Sequence, residues 1–476
     1  MARLSTSLLC DEERALLHEQ TLTVLEEVGT AVQVPEALDI LVEGGATVDR
    51  ETGVARLPRE LVARCLATTP RTVLLAGRDP ANDVVVGDDR VTFTTDGTAT
   101  YVVDDDTGLR REGSAEDQRR LNRLFDALPN IDYIWPTISS RDLDPVAADL
   151  EIQAIAWRNC AKHVQDEIRT AELVPPMLDM MAAVGGATPA ERPVFSQINC
   201  TIAPLSHDIE MTEASLAMAR AGVPIVIMPM PLMGTTAPMS VAGTTVMCMA
   251  EMLSAVVLFQ LAAPGCPLIG APEPGAADMR SGLYLCGAPE ATMVILTSVE
   301  MTKHYGLPCQ GPGFGGDAKA PDYQEGAEGM SAALTGALVG ADTLVGVGTF
   351  DGAQATSLAK VVLDNDAAGV VRTLIGEVPI EVADTLVDDI REVGPGGHFM
   401  ARRSTRQRGR GGGIWLPSVF RRGTFEAHAG STLVQDALER ARHLLATHEV
   451  KPLADDVDRH LDEVIADQRR LCAEAV

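Results

Sequence analysis

The sequence predicts an α/β fold: a (β/α)8 TIM barrel with an N-terminal α+β layer and a C-terminal helical extension. Two observations lead there. From Ile131 onward, short apolar strands alternate with helical stretches, and strands separated by helices run parallel, because a parallel neighbour is reached only through a crossover. No GxGxxG or GxxxxGK[ST] follows an early strand, which removes support from the nucleotide-binding open sheets. With 476 residues and 46% hydrophobic content, the chain can build a large core and still carry appendages.

Residues 1–128 read as the N-terminal layer. An amphipathic helix spans Glu12–Val28, and further helices follow Pro35 and Pro58, since proline is pre-set for the first helical turn. Val73–Leu75, Val84–Val86, Val91–Thr94 and Tyr101–Val103 are brief β-rich runs between Gly/Asp turns, the pattern of a small antiparallel sheet. Ser114, with Glu116 and Asp117 behind it, opens a helix to about Leu128. Residues 129–400 read as the barrel. Its strands are Ile131–Trp135, His163–Gln165, Val194–Asn199, Ile225–Met228, Pro267–Gly270, Pro308–Gln310 and Thr343–Val347, with helices such as Thr244–Leu261 and Ala288–Tyr305 between them. An eighth unit is expected after Gly376, where the pattern blurs. Residues 401–476 read as an Arg/Gly-rich loop followed by two helices within Gly430–Val476.

A net charge of -28 argues against nucleic acid and anionic membrane surfaces, because both need a dense basic patch. The basic cluster Arg402, Arg403, Arg406, Arg408 and Arg410 sits in a glycine-rich tract and reads as a surface loop or an oligomer contact. The nine cysteines show no CxxC pair, so they read as reduced thiols with no metal site. The N-terminus lacks the pattern of a signal peptide, and no uninterrupted apolar stretch approaches membrane-spanning length. A cytoplasmic homo-oligomer is the expectation.

Gly313–Gly329, GFGGDAKAPDYQEGAEG, spaces Asp317, Lys319, Asp322, Gln324 and Glu328 along a glycine-rich loop leading into a helix. Glycines admit a close ligand, but acids at a helix start also serve as caps, and both readings stand. In a barrel the site lies at the carboxyl ends of the strands. That rule selects Trp135, Asp166, Asn199, Pro229–Thr235, Glu273, Gly311–Lys319 and Gly348–Gln354. The two glycine-rich loops follow neighbouring strands, so one shared pocket holding Asp317, Lys319, Phe350, Asp351 and Gln354 is expected. Met228, Met230, Met233 and Met239 cluster after one strand, as adaptable packing or as a soft wall for methyl groups.

Four segments in order carry a resemblance that covers nearly the whole chain. They are GRDP at Gly77–Pro80 with DDDTGLRR at Asp104–Arg111, MGTTAPMSVAG at Met233–Gly243 followed by Ala250-Glu251, the GGDAKAPDYQEGAE loop, and GPGGHF at Gly394–Phe399. In these the chain resembles the trimethylamine methyltransferase family. The resemblance implies a barrel that transfers a methyl group from an amine to the cobalt of a corrinoid (cobalamin) carried by a separate corrinoid-binding protein. No cofactor would then be bound tightly in this chain. The family's best-known members carry pyrrolysine in a stretch matching Gly348–Ser357, GTFDGAQATS, where this chain has ordinary residues. The lost column falls at or next to Gly352. A quaternary ammonium already has a neutral amine as leaving group, whereas a tertiary amine must first be made cationic. Loss of pyrrolysine therefore points to a small quaternary amine, glycine betaine or a related betaine.

On this reading Asp317, Asp351 and Gln354 are the catalytic candidates. Trp135, Phe314, Lys319, Tyr323, Gln324, Phe350 and His398 are the substrate-binding candidates, since aromatic faces and charges hold a quaternary ammonium. Phe93 or Tyr101 would reach over from the N-terminal layer. Met233, Gly234, Gly315 and Gly316 are candidates for facing the corrinoid. Two alternatives stay open: a metal-assisted lyase or hydrolase using Asp317, Asp322 and Glu251, and a non-catalytic betaine-binding relative.

Overall fold

Ile225–Met228 and Thr343–Val347 form strands with the bounds their apolar runs predict. The computed structural model describes residues 4–474 except 89, 98, 105, 378–385 and 411–413. The fold is mixed α/β. Val164–Asp166 pairs parallel with Phe195–Ile202, which pairs with Ile225–Met228, which pairs with Leu268–Gly270. Gly270 bridges in parallel to Cys309. Gln310–Gly311 pairs with Thr343–Val347, and that strand pairs with Thr92–Thr95. Parallel bridges Thr94 to Tyr133 and Ile134 to Val164 link the remaining neighbours. Every residue of Thr92–Thr95, Ile225–Met228, Leu268–Gly270 and Thr343–Val347 is buried, as expected for parallel strands covered on both faces.

Two sequence expectations need correction here. Val91–Thr94 was expected in an antiparallel layer, yet Thr92–Thr95 pairs parallel between Thr343–Val347 and Tyr133. Its turn-rich flanks resemble those of a hairpin, but the burial of all four residues places it among the interior strands. The unit expected after Gly376 is therefore supplied from the N-terminal side; the long helix Leu358–Ile375 closes the series of strand–helix repeats. The other short runs behave largely as read. Val73–Leu75 and Val84–Val86 pair antiparallel, while Tyr101–Val103 pairs antiparallel with Arg110–Glu112 and parallel with Ala355–Thr356.

The helices Asp11–Thr23, Pro35–Gly44 and Arg59–Thr68 pack on Val241–Ala262. Its 22 residues are long and apolar enough to cross a membrane by length and composition, although Glu251 interrupts the apolar run. Most of it is buried inside the fold. Its Glu251 carboxylate accepts from the Thr201 hydroxyl at 2.6 Å and the Leu205 N–H at 2.9 Å, so its apolar length serves the core.

The tail helices Leu433–Thr447 and Asp455–Glu474 pack against Leu358–Ile375 and Val174–Gly185 respectively. The arginine cluster, read as a loop, is in part a short helix, Arg403–Arg410; the adjoining glycines 411–413 lie outside the described residues. Buried Asp366 ties the tail down. It accepts from Ser418 Oγ at 2.7 Å and from the N–H groups of Ser418, Val419 and Phe420 at 3.0, 2.7 and 2.9 Å. Asp366→Ala strands these donors, and denaturant unfolding is expected to show a loss of about 2–4 kcal/mol. The same variant is expected to be cut faster by protease between Ile414 and Ser431.

Candidate functional site

A cavity of about 400 Å³ lies where the parallel strands end. Asp96 follows Thr92–Thr95, Trp135 follows the bridged pair at Tyr133 and Ile134, and Glu167 follows Val164–Asp166. Cys200, Met228 and Met230, Glu273 and Val345 come from the next strands and their exits, and Tyr284, Gly352 and Ala353 complete the wall. A smaller cavity of about 70 Å³ adjoins it through Asp96, Glu273, Tyr284, Val345 and Ala353 and reaches Cys286 and Gly315. Met230 is exposed as well as lining the cavity, so the space opens to solvent on its side.

The wall suits a small organic cation. Trp135 is held rigidly: its N–H donates to Thr95 Oγ1 at 2.7 Å and its indole Nε1–H to Asp166 Oδ1 at 3.0 Å. Asp166 also accepts from the Gln153 amide. Three carboxyls, Asp96, Glu167 and Glu273, face the same space, and among the described residues no lysine, arginine or histidine lines it. Burial pushes Asp96 up to about 6, against hydrogen bonds from the Thr349 hydroxyl and the Gly97 N–H that favour its anion. Burial and then the charge of Asp96 push Glu273 up to about 8. Burial likewise raises Asp166 to about 7 and raises Glu167 above the usual carboxylate range. Buried carboxyls of this kind mark functional clefts.

The glycine-rich loops do meet, as their order implies. Asp351 N–H donates to Ala318 O at 3.0 Å and Gly352 N–H to Gly316 O at 2.9 Å. The polar residues of that contact, however, are engaged with one another. Asp351 is ion-paired to Lys319 at 2.6 Å and Arg110 at 2.7 Å, and Gln354 accepts from Arg110. Asp317 clamps the neighbouring loop, accepting from the N–H groups of Cys286 and Gly287 at 3.0 and 2.9 Å. These bonds hold loops together and leave none of the expected catalytic trio in the cavity wall.

Trp135 alone of the expected substrate-binding residues lines the larger cavity. Phe314 and Phe350 are each 1% exposed, and Phe314 stacks on Phe93 in the core; an aromatic beside a buried strand end is drawn inward by its apolar area. Tyr323 is 91% exposed, Gln324 bonds Glu328 on the surface, and His398 is exposed. Tyr101 lies under the Arg110 guanidinium. Gly315 lines the smaller cavity, whereas Gly316 is crowded by Glu325 and Glu328, Met233 is buried, and Gly234 abuts Met239 and Met279. Of the residues named for the metal alternative, Asp317 accepts from the Cys286 and Gly287 N–H groups, Glu251 from the Thr201 hydroxyl and the Leu205 N–H, and Asp322 from the Gln324 and Glu325 N–H groups. Among the described residues no group of three or more His, Cys, Asp or Glu converges as a metal site.

The cavity at the carboxyl ends of the parallel strands of this α/β protein is walled by an indole, a phenol, thioethers and carboxyls. The family described as trimethylamine methyltransferase (MTTB) matches residues 3–472. Trimethylamine methyltransferase of Methanosarcina thermophila is 31% identical, the match covering 95% of each chain. That of Desulfitobacterium hafniense DCB-2 is 30% identical over 96% of this chain and 92% of its own. Glycine betaine methyltransferase of Desulfitobacterium hafniense Y51 is 28% identical over 97% of this chain and 96% of its own. Among solved structures, a dihydropteroate synthase of Xanthomonas albilineans has a TM-score of 0.38 at 17% identity, over 63% of this chain and 98% of its own, below the level at which a shared fold follows. The chain belongs to the trimethylamine methyltransferase family. It is an enzyme of the methyltransferase class.

Proposed function

We propose that this enzyme moves a methyl group from a quaternary ammonium donor, glycine betaine or a related betaine, to the cobalt of a corrinoid borne by a separate protein. We read the eight parallel-paired segments as a closed (β/α)8 barrel, a reading supported by each segment having a parallel neighbour on both sides. The observation that carries the function is Gly352. It lies at or next to the position where the family resemblance puts pyrrolysine in the relatives, and it lines the cavity with φ +63° and its missing Cβ directed 3.6 Å from the Tyr284 ring. The space is therefore open at the point where a tertiary amine would need an activating group.

The chain's own residues have little proton chemistry to perform. Asp96 and Glu167 attract the ammonium, the Trp135 face stabilises it through cation–π attraction, and the thioethers of Met228 and Met230 exclude water around the reacting methyl. A corrinoid presented from the Met230 side would supply the nucleophile. Arg110, Lys319 and Asp351 hold the two glycine-rich loops in register around Gly352.

The test supplies purified enzyme with cob(I)alamin and either glycine betaine or trimethylamine, and follows the demethylated amine by mass spectrometry. Dimethylglycine from glycine betaine is the expected result. Demethylation of trimethylamine but of no quaternary amine would sink the proposal. Gly352→Leu is expected to lower turnover by about tenfold or more by filling the cavity, with about 1–2 kcal/mol of strain at the left-handed φ.

A further inference from the structure

Glu273 differs from the other cavity carboxyls in what is aimed at it. Asp96 Oδ2 receives the Thr349 hydroxyl at 3.1 Å, and Glu167 Oε1 receives the Cys200 thiol at 3.5 Å. Glu273 Oε1 is buried and has no hydrogen-bond partner. Its neighbours offer no compensating charge: Asp96, Glu167, Cys200 and Tyr284 share the larger cavity, Cys286 lies in the smaller one, and Cys248 and Cys309 interact with it from the adjacent elements. No lysine, arginine or histidine lines either cavity among the described residues.

Two carboxyls facing one apolar space do not both ionise readily, and the one already hydrogen-bonded as an anion keeps the charge. Asp96 is that one. Glu273, unpartnered, keeps its proton and has an O–H to place. A ligand that fills the cavity can bring the acceptor.

We propose that Glu273 is a specificity-determining residue that donates a hydrogen bond from its neutral carboxyl to the carboxylate of a zwitterionic ammonium donor. A carboxylic acid thereby takes the place that a lysine or arginine holds in a basic site, and the O–H···O⁻ bond is of the strong, charge-assisted kind. The ammonium end then lies toward Trp135, Asp96 and Glu167. The proposal rests on reading the cavity as a quaternary-ammonium site, and it explains how so acidic a wall admits an anionic group.

The test is calorimetric titration of wild-type enzyme, Glu273→Gln and Glu273→Ala with glycine betaine and with tetramethylammonium, which has no carboxylate. In the wild type, betaine affinity is expected to be full at neutral pH and to fall as pH rises through about 8, approaching about tenfold per pH unit well above it. Tetramethylammonium affinity is expected to hold or rise over the same range, because ionised Glu273 adds attraction. Glu273→Gln retains a donor and is expected to bind betaine with that fall removed. Glu273→Ala is expected to lose about tenfold or more for betaine and to keep its tetramethylammonium affinity. Wild-type betaine affinity independent of pH, or an alanine variant that binds betaine as the wild type does, overturns the proposal. If the alanine variant does not fold, the wild-type pH profile and the glutamine variant still decide. If the wild type binds neither ligand, the quaternary-ammonium reading itself fails and this proposal falls with it; tetramethylammonium binding without the betaine pattern removes this proposal alone.

Discussion

Trp135→Ala is expected to lower kcat/KM for a quaternary ammonium donor by about 30-fold or more, from the loss of about 2 kcal/mol of desolvated cation–π attraction. Trp135 is nearly buried and bonded at both its backbone N–H and its indole N–H. Truncation therefore also creates a void, and denaturant unfolding is expected to show about 3–5 kcal/mol of lost stability. The two effects are separable. Trp135→Phe keeps an aromatic face over the cavity but removes the indole donor from Asp166, so it is expected to retain more of the tetramethylammonium affinity than the alanine variant. Equal affinity in wild type, phenylalanine and alanine variants would remove Trp135 from the binding site.

Lys360→Ala is expected to cost stability on the same scale, through charge rather than volume. Lys360 Nζ lies 2.6 Å from Asp364, 3.2 Å from Glu325 and 2.9 Å from Phe314 O, with all three side chains of the ion cluster buried. Removing the cation leaves two carboxyls in the interior without a counter-charge, a change that costs about 3–5 kcal/mol. The loss depends on pH with a definite sign. Burial pushes Glu325 up to about 8 and Asp364 up to about 6, while Lys360 pulls both down. A raised carboxyl pKa means that the folded state binds more protons than the unfolded one. The corresponding stability is present below the unfolded pKa and is lost as pH rises through the folded value. Without Lys360 both folded values rise further, so the variant is expected to be hurt less at about pH 5 than at about pH 9. Unfolding curves at the two pH values check this, and an equal loss at both would contradict it.

The misreadings in the sequence have local causes. The third parallel strand was placed at His163–Gln165, one residue before its true bounds, Val164–Asp166. A strand that ends one residue later makes Glu167, not Asp166, the exit residue, and Glu167 lines the cavity. Asp96 was missed because its strand was assigned to a hairpin layer, which kept the strand-exit rule from being applied to it. Tyr284 belongs to a short strand pairing antiparallel with Gly275–Ala277, and nothing in its spacing marks it. Asp317 and Asp351 are polar residues among glycines, a pattern that fits a ligand site and equally serves to latch one loop to another.

From sequence alone the protein's α/β class, the alternation of strands with crossover helices and the family were determined, the last through four motifs in order. Apolar periodicity and turn chemistry are local, and they survive in the order of the residues. The cavity belongs to the tertiary structure. Asp96, Trp135, Glu167, Glu273, Tyr284 and Gly352 are spread over more than half the chain, and they meet because parallel pairing brings strand exits to one end of the fold. The different surroundings of the two carboxyls are also tertiary, since a Thr349 hydroxyl reaches Asp96 and no donor reaches Glu273 Oε1. Those are distances between residues remote in sequence, and no local pattern encodes them.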